Sequence, residues 1–295
     1  MKALVFGSFN IDKVYFIPSL PEKGESVYCE KFETHVGGKG LNQALSLKKA
    51  GADVTVAGKV GPDGKFLTDY LVGNGLDISL IDNSGAATGH TIIEVDKNGQ
   101  NQMILFGGAN REIEKEYCEK ILENASEYDF LLTQFETSCV EYMLRKAHEK
   151  GLKTVFNPSP FVDELNTFPL EFVDCLILNE YEGKSLSERT DPEDIVRILQ
   201  AHNHGTVVLT LGDKGAVFYD GKELVTAPAF KANAVDTTGA GDTFTGYFLE
   251  AYFSGESPYD ALIKGAAASA IEVSLPGAAE TIPDKEEVEE YLKKQ

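Results

Sequence analysis

Two glycine-rich segments hold the residues best suited to chemistry. Asp236-Thr237-Thr238-Gly239-Ala240-Gly241-Asp242 leads into a stretch where Phe244, Tyr247, Phe248, Ala251 and Tyr252 recur at i, i+3, i+4, i+7 and i+8. That spacing predicts a helix with a buried apolar stripe. Small residues at 239–241 leave main-chain N–H groups uncovered at its N-terminus, an anion site reinforced by the helix dipole. An Asp at position 242 could take a proton from a hydroxyl beside a bound phosphate. On its own the motif reads more readily as a capping Asp after a Gly-rich turn. The second segment is His35-Val36-Gly37-Gly38-Lys39-Gly40-Leu41-Asn42-Gln43. Its glycines allow close approach of the backbone to a ligand. Lys39 suits a phosphate, and Asn42, one turn into the next helix, offers a polyol both a donor and an acceptor. The alternative is a strand-to-helix turn with no ligand.

The elements that must position these groups alternate two periods. Apolar β-type runs fall at 3–6, 54–58, 129–132, 153–156, 175–178 and 206–211. Helical patterns lie between them at about 40–50, 64–74, 112–124, 138–150 and 191–203, and again at 241–254, 258–273 and 284–294. Short apolar strands alternating with helices predict an α/β protein with a mostly parallel sheet covered on both faces. Polar residues then collect at the C-terminal strand ends, where open α/β sheets bind ligands. These are Asn10, Asp12, Glu136, Asn157, Asn179, Glu182 and Thr210-Leu211-Gly212. Residues 13–36 and 88–108 carry strand-like segments without helices, and Asp96-Lys97-Asn98-Gly99 reads as a hairpin turn. They predict a small antiparallel sheet projecting from a single domain spanning 1–295.

Other motifs fail on spacing. Gly183-Lys184-Ser185 ends like a phosphate-binding loop, but position 178 is Leu where that loop needs Gly. Gly239-Ala240-Gly241 begins like a dinucleotide fingerprint whose third glycine would be Phe244. His202 and His204 lack a third metal ligand. The excess of 47 acidic over 27 basic residues gives a net charge of −20, which disfavours nucleic acid and anionic membranes as partners. No apolar run approaches the roughly 18 residues of a membrane span. Cys29, Cys118, Cys139 and Cys175 are scattered without a CxxC pair, the pattern of free thiols in a reducing, cytoplasmic setting.

Together the motifs resemble the ribokinase / phosphofructokinase-B family of carbohydrate kinases, from Gly7-Ser8-Phe9-Asn10-Ile11-Asp12 to Pro283. Gly37-Gly38-Lys39-Gly40-Leu41-Asn42, followed by Gly51 and Gly61, matches the first family signature. Asp236–Asp242 matches the second, although Tyr247 stands where the family usually has a small residue. The resemblance implies a ribokinase-like three-layer sandwich with a small antiparallel β lid, drawn from about 13–36 and 88–108. It implies that Asp242 is the catalytic base and that the N–H groups of Gly239, Ala240 and Gly241 form the anion hole. Asn10, Asp12, Gly38, Lys39, Asn42 and Glu136 would surround the sugar with Asp242. Asn179, Glu182, Thr210, Gly212, Gly215 and Gly241 would serve ATP and magnesium. A potassium loop would use Asp236, the carbonyls of Thr238, Glu272, Leu275 and Gly277, and Thr281. Ala266 takes a place where some relatives set a larger polar residue against adenine. A homodimer through the lid is also implied.

Within the family, Asp12 and Glu136 with the 37–40 glycines favour ribose as acceptor. Deoxyribose, fructose, adenosine or pseudouridine are the alternatives. A sugar-binding regulator without catalysis is the competing class, and intact Asp242, Gly239, Gly241 and Glu182 speak against it.

Overall fold

The short apolar runs become strands because they are buried on both faces. The computed structural model describes residues 1–295. The strands are β1 (Lys2–Phe6), β2 (Asn10–Ile17), β3 (Lys31–Gly37), β4 (Asp53–Lys59), β5 (Asp77–Asp82), β6 (Gly89–Asp96), β7 (Asn101–Phe106), β8 (Phe130–Gln134), β9 (Lys153–Asn157), β10 (Cys175–Asn179), β11 (Thr206–Thr210), β12 (Ala216–Tyr219) and β13 (Leu224–Ala227). The helices are α1 (Lys39–Ala50), α2 (Lys65–Gly73), α3 (Lys115–Ile121), α4 (Val140–Glu149), α5 (Glu180–Ser187), α6 (Pro192–Asn203), α7 (Ala240–Phe253), α8 (Pro258–Glu272) and α9 (Lys285–Leu292).

Nine strands form the main sheet in the order β13-β12-β11-β10-β9-β8-β1-β4-β5. Every pair from β5 to β11 is parallel, and only the β11–β12–β13 edge is antiparallel. Alternate residues feed opposite cores. Phe130 and Leu132 join Val5, Val56, Leu41, Phe248 and Leu262 on the α1–α7–α8 face, whereas Leu131 joins Leu4, Met143 and Ala147 against α3 and α4. A further cluster seats Ile195, Val196 and Leu199 of α6 on Leu176, Leu178, Val207 and Leu209. The result is helix, sheet, helix.

The second sheet has the order β3-β2-β6-β7. Its outer pairings are antiparallel, as expected, but its central β2–β6 pairing is parallel. Between these strands the chain passes through α1, β4, α2 and β5, and such a long crossover permits parallel pairing. Residues 26–30, read as strand, precede β3 as loop. The helix read at 112–124 is instead α3 flanked by 3₁₀ turns, with non-helical backbone at Asn124. No helix is long and apolar enough to cross a membrane.

Candidate active site

The strand order reverses between β1 and β8, since the chain moves from β1 toward β4 and β5 and later returns to β8 on the other side. Ligands bind in the crevice at such a switch point. Here Ser8, just past β1, donates its hydroxyl proton to the Glu136 carboxylate, just past β8. The same Glu136 Oε2 accepts the Lys39 N–H at 3.1 Å, and Ser8 Oγ accepts the Gly40 N–H at 3.3 Å. This pins the start of α1 across the switch point. Gly38 is required there: its φ is +97°, and a Cβ would lie 2.7 Å from the Ser8 carbonyl oxygen.

Asp242 sits in the first turn of α7 and is buried. Its Oδ1 accepts from Gln43 Nε2 at 2.8 Å and its Oδ2 from Asn42 Nδ2 at 3.2 Å. Gly239 caps the helix at φ +87°. A side chain at 239 would strike the Glu272 carboxylate, with Oε1 2.7 Å from the added Cβ. Lys39 is surrounded by acids. Burial works to lower the pKa of its ammonium, but Asp242, Glu136 and Glu182 outweigh this and raise it.

A polar cavity of about 540 Å³ brings together Lys39, Asn179, Glu182, Thr210, Gly212, Gly239, Gly241 and Asp242. Asn179 and Glu182 form a reciprocal cap at the start of α5: each side chain accepts the other's N–H at 2.9 Å. Burial pushes the Glu182 carboxyl up, against the pull of the Asn179 N–H and Lys39. A second cavity of about 300 Å³ shares Thr210, Gly212 and Gly241 with the first and adds Gly215, Ala240, Ala266, Phe230 and Val273. Its apolar walls suit a planar base. At the other end Asn10 accepts from Asn110 Nδ2 at 2.8 Å, and Asp12 pairs with His35 on β3 and Thr91 on β6. Burial, followed by the nearby charge of Glu136, moves the Asp12 carboxyl up to about 6, against the pull of Thr91 and His35.

The residues read as a potassium loop also converge. Asp236 accepts the N–H of Thr238 at 2.9 Å and of Gly277 at 3.3 Å, tying the two loops. Thr281 donates to the Gly277 carbonyl at 3.1 Å, and the Glu272 carbonyl accepts from Leu275 N–H at 2.9 Å. The sequence reading valued Glu272 for its carbonyl, yet its side chain is the anomaly. Glu272 is 1% exposed with both carboxylate oxygens unpartnered. Burial lifts its pKa to about 8. An orphaned buried carboxylate fits a cation in this loop. No three His, Cys, Asp or Glu side chains converge as a metal cluster.

Sequence reasoning missed Ser8, Gln43 and Asn110 as members of the site. Ser8 was signalled only by following the first strand, and Gln43 by its place beside Asn42.

A family profile described as pfkB family carbohydrate kinase matches residues 1–285. The ribokinase of Haemophilus influenzae is 35% identical, over 98% of this chain and 97% of its own. The deoxyribokinase of Salmonella typhi is 28% identical over 99% of each. The structure of Arabidopsis thaliana ribokinase complexed with ribose and ATP superposes with a TM-score of 0.87 at 30% identity, covering 99% of this chain and 98% of that one. With the switch-point crevice, the glycine-capped α7 and its buried Asp242, these matches identify the chain as a member of the pfkB family of carbohydrate kinases.

Proposed function

We propose that the chain transfers the terminal phosphoryl group of ATP to a hydroxyl of ribose, giving ribose 5-phosphate. The observation that carries this reading is Asp242. It is a buried carboxylate at a helix N-terminus, held by Asn42 and Gln43 and lining the polar crevice. Asp242 accepts the proton of the attacking hydroxyl. The N–H groups of Gly239, Ala240 and Gly241 face the phosphoryl oxygens where charge accumulates. Lys39 bridges donor and acceptor, and Asn10, Asp12, Gly38, Asn42 and Glu136 orient the sugar.

Thr210, Gly212 and Gly215 lie under the nucleotide, with the base against Ala266, Phe230 and Val273. Asn179 and Glu182 would hold magnesium through its water shell, in keeping with the reluctance of that ion to shed water. When bound, it neutralises phosphate charge. Potassium would be held by Asp236, Thr281 and the carbonyls of Thr238, Glu272, Leu275 and Gly277, beside the Glu272 carboxylate. When bound, it adds positive charge behind the anion hole.

On this reading 1–295 works as one unit in the cytoplasm, the four-stranded sheet is its lid, and two copies pair through it. Lid closure keeps water from the phosphoryl group. The deoxyribokinase relative supports deoxyribose as the second reading. The test is ATP consumption with ribose, deoxyribose, fructose, adenosine and pseudouridine. Ribose should give the highest kcat/KM. A faster acceptor among the others would replace it, and negligible turnover with all five would favour a non-catalytic sugar binder.

A further inference from the structure

Gln43 lies in α1 with 0% exposure, deep in a core whose neighbouring helix positions are Leu41, Ala44 and Leu45. An amide in such a place is costly unless every polar atom is used. All of Gln43 is used. Its Nε2 donates to Asp242 Oδ1 at 2.8 Å and to Asn157 Oδ1 at 2.9 Å, and its Oε1 accepts from Gln134 Nε2 at 2.6 Å. Asn157 in turn donates through Nδ2 to the Ile177 carbonyl at 2.8 Å. The orientation of the amide follows from chemistry. An ionised carboxylate only accepts, so the nitrogen must face Asp242 and the oxygen is left for Gln134.

The chain of amides therefore runs from β8 through α1 to α7, with a branch through β9 to the main chain of β10. All are rigid elements of the body, and none belongs to the lid sheet. Asp242 Oδ1 is fixed by this chain. Its Oδ2 is approached only by Asn42, at 3.2 Å. Lys39 supplies charge near Asp242 but no direction, since an ammonium is a compact point charge.

We propose that Gln43 is a positioning residue for the base: it holds Oδ1 of Asp242 so that Oδ2 faces the acceptor hydroxyl. The proposal rests on the reading of Asp242 as the base. Two hydrogen bonds from fixed elements define the plane of the carboxylate, and displacing a reacting group by about 1 Å costs on the order of 10²-fold in rate. A purely structural Gln43 would affect stability and leave turnover per folded molecule unchanged.

The test uses the full-length protein with Gln43→Met, Gln134→Met and Asp242→Asn, each measured for melting temperature, kcat, and KM for sugar and ATP. Gln43→Met keeps the length of the side chain and removes the donor. It should lower kcat by about 10- to 100-fold and leave both KM values within about twofold. Gln134→Met frees the far side of the amide and should lower kcat by about three- to tenfold with the same split. If Gln43→Met does not fold, Gln134→Met carries the test. Asp242→Asn should lose roughly 10²–10⁴-fold in kcat. A folded Gln43→Met, or in its place Gln134→Met, with normal kcat beside an inactive Asp242→Asn overturns the positioning role and leaves the base in place. An Asp242→Asn variant that keeps its turnover overturns both readings.

Discussion

Three carboxylates share one ammonium in the crevice, and Asp12 stands beyond the reach of that charge. Lys39 answers Asp242, Glu136 and Glu182. Asp12 has no basic side chain in hydrogen-bond range, and burial moves its carboxyl up to about 6 from 3.8. The sign of the consequence is fixed. With a raised value in the folded state, Asp12 favours folding at low pH, and that contribution is lost as pH rises through about 6. If Asp12 holds the sugar, as proposed, sugar binding has the opposite trend, because the ionised carboxylate is the stronger acceptor. The sugar KM should fall as pH rises from about 5 to about 7, with the KM for ATP nearly flat. Asp12→Asn should hold the sugar KM at its acid-side value and melt higher than the parent at neutral pH. A sugar KM in Asp12→Asn that still follows pH would assign the effect to His35 or another group. At this scale the sequence exposed the residues set in glycine-rich turns, such as Gly239, Gly241 and Asp242. It concealed Gln43, because a buried glutamine in a helix has no local signature. It also concealed the Glu272 carboxylate, which only the packing of α8 against the 236–239 turn turns inward.

Within the main sheet, strands buried on both faces were legible, whereas β5, β12 and β13 were not. β8 is buried throughout, whereas β5 is partly exposed along most of its length, and β12 and β13 span four residues each. α5 was overlooked because Gly183 and its polar run lack an apolar stripe. Yet α5 begins at the Asn179–Glu182 reciprocal cap, so these residues have a structural task beside any ligand. The two tasks can be separated. Glu182→Gln keeps an oxygen for the Asn179 N–H and should preserve the helix, whereas Asn179→Ala should cost about 1 kcal/mol. If Glu182 also acts on the magnesium shell, Glu182→Gln should need several-fold more magnesium for half-maximal rate at an almost unchanged melting temperature. An unchanged magnesium response would confine Glu182 to the cap.

For the whole molecule, the alternation of strands and helices was enough to predict the main sheet, and long-range pairing was not. The parallel β2–β6 contact joins segments nearly 80 positions apart, which no local pattern can specify. The outer edge of that sheet bears directly on assembly. Met103, Ile104, Leu105 and Phe106 of β7 are between 47% and 60% exposed, on both faces of an edge strand. Bare apolar edges of this kind invite pairing with another chain. Ile104→Lys should therefore shift a dimer toward monomer in sedimentation at micromolar concentration and leave the main-sheet core intact. A parent protein that sediments as a monomer would remove the lid as the site of association.

β2 and β3 of the second sheet are both rooted at the switch-point crevice. β2 starts at Asn10 and carries Asp12, and β3 ends at Gly37 beside Gly38 and Lys39. Were this sheet to close as the proposed lid, β2 would act as a lever with its fulcrum at Asn10. Eight residues of β2 reach about 26 Å, so a tilt of about 10° at Asn10 sweeps the far tip through about 4–5 Å. If Asp12 holds the sugar and this sheet is the lid, as proposed, a bound sugar would draw the roof over itself, and its phosphorylated product would have to loosen the same grip to leave. Occupancy and occlusion would then be one mechanical event.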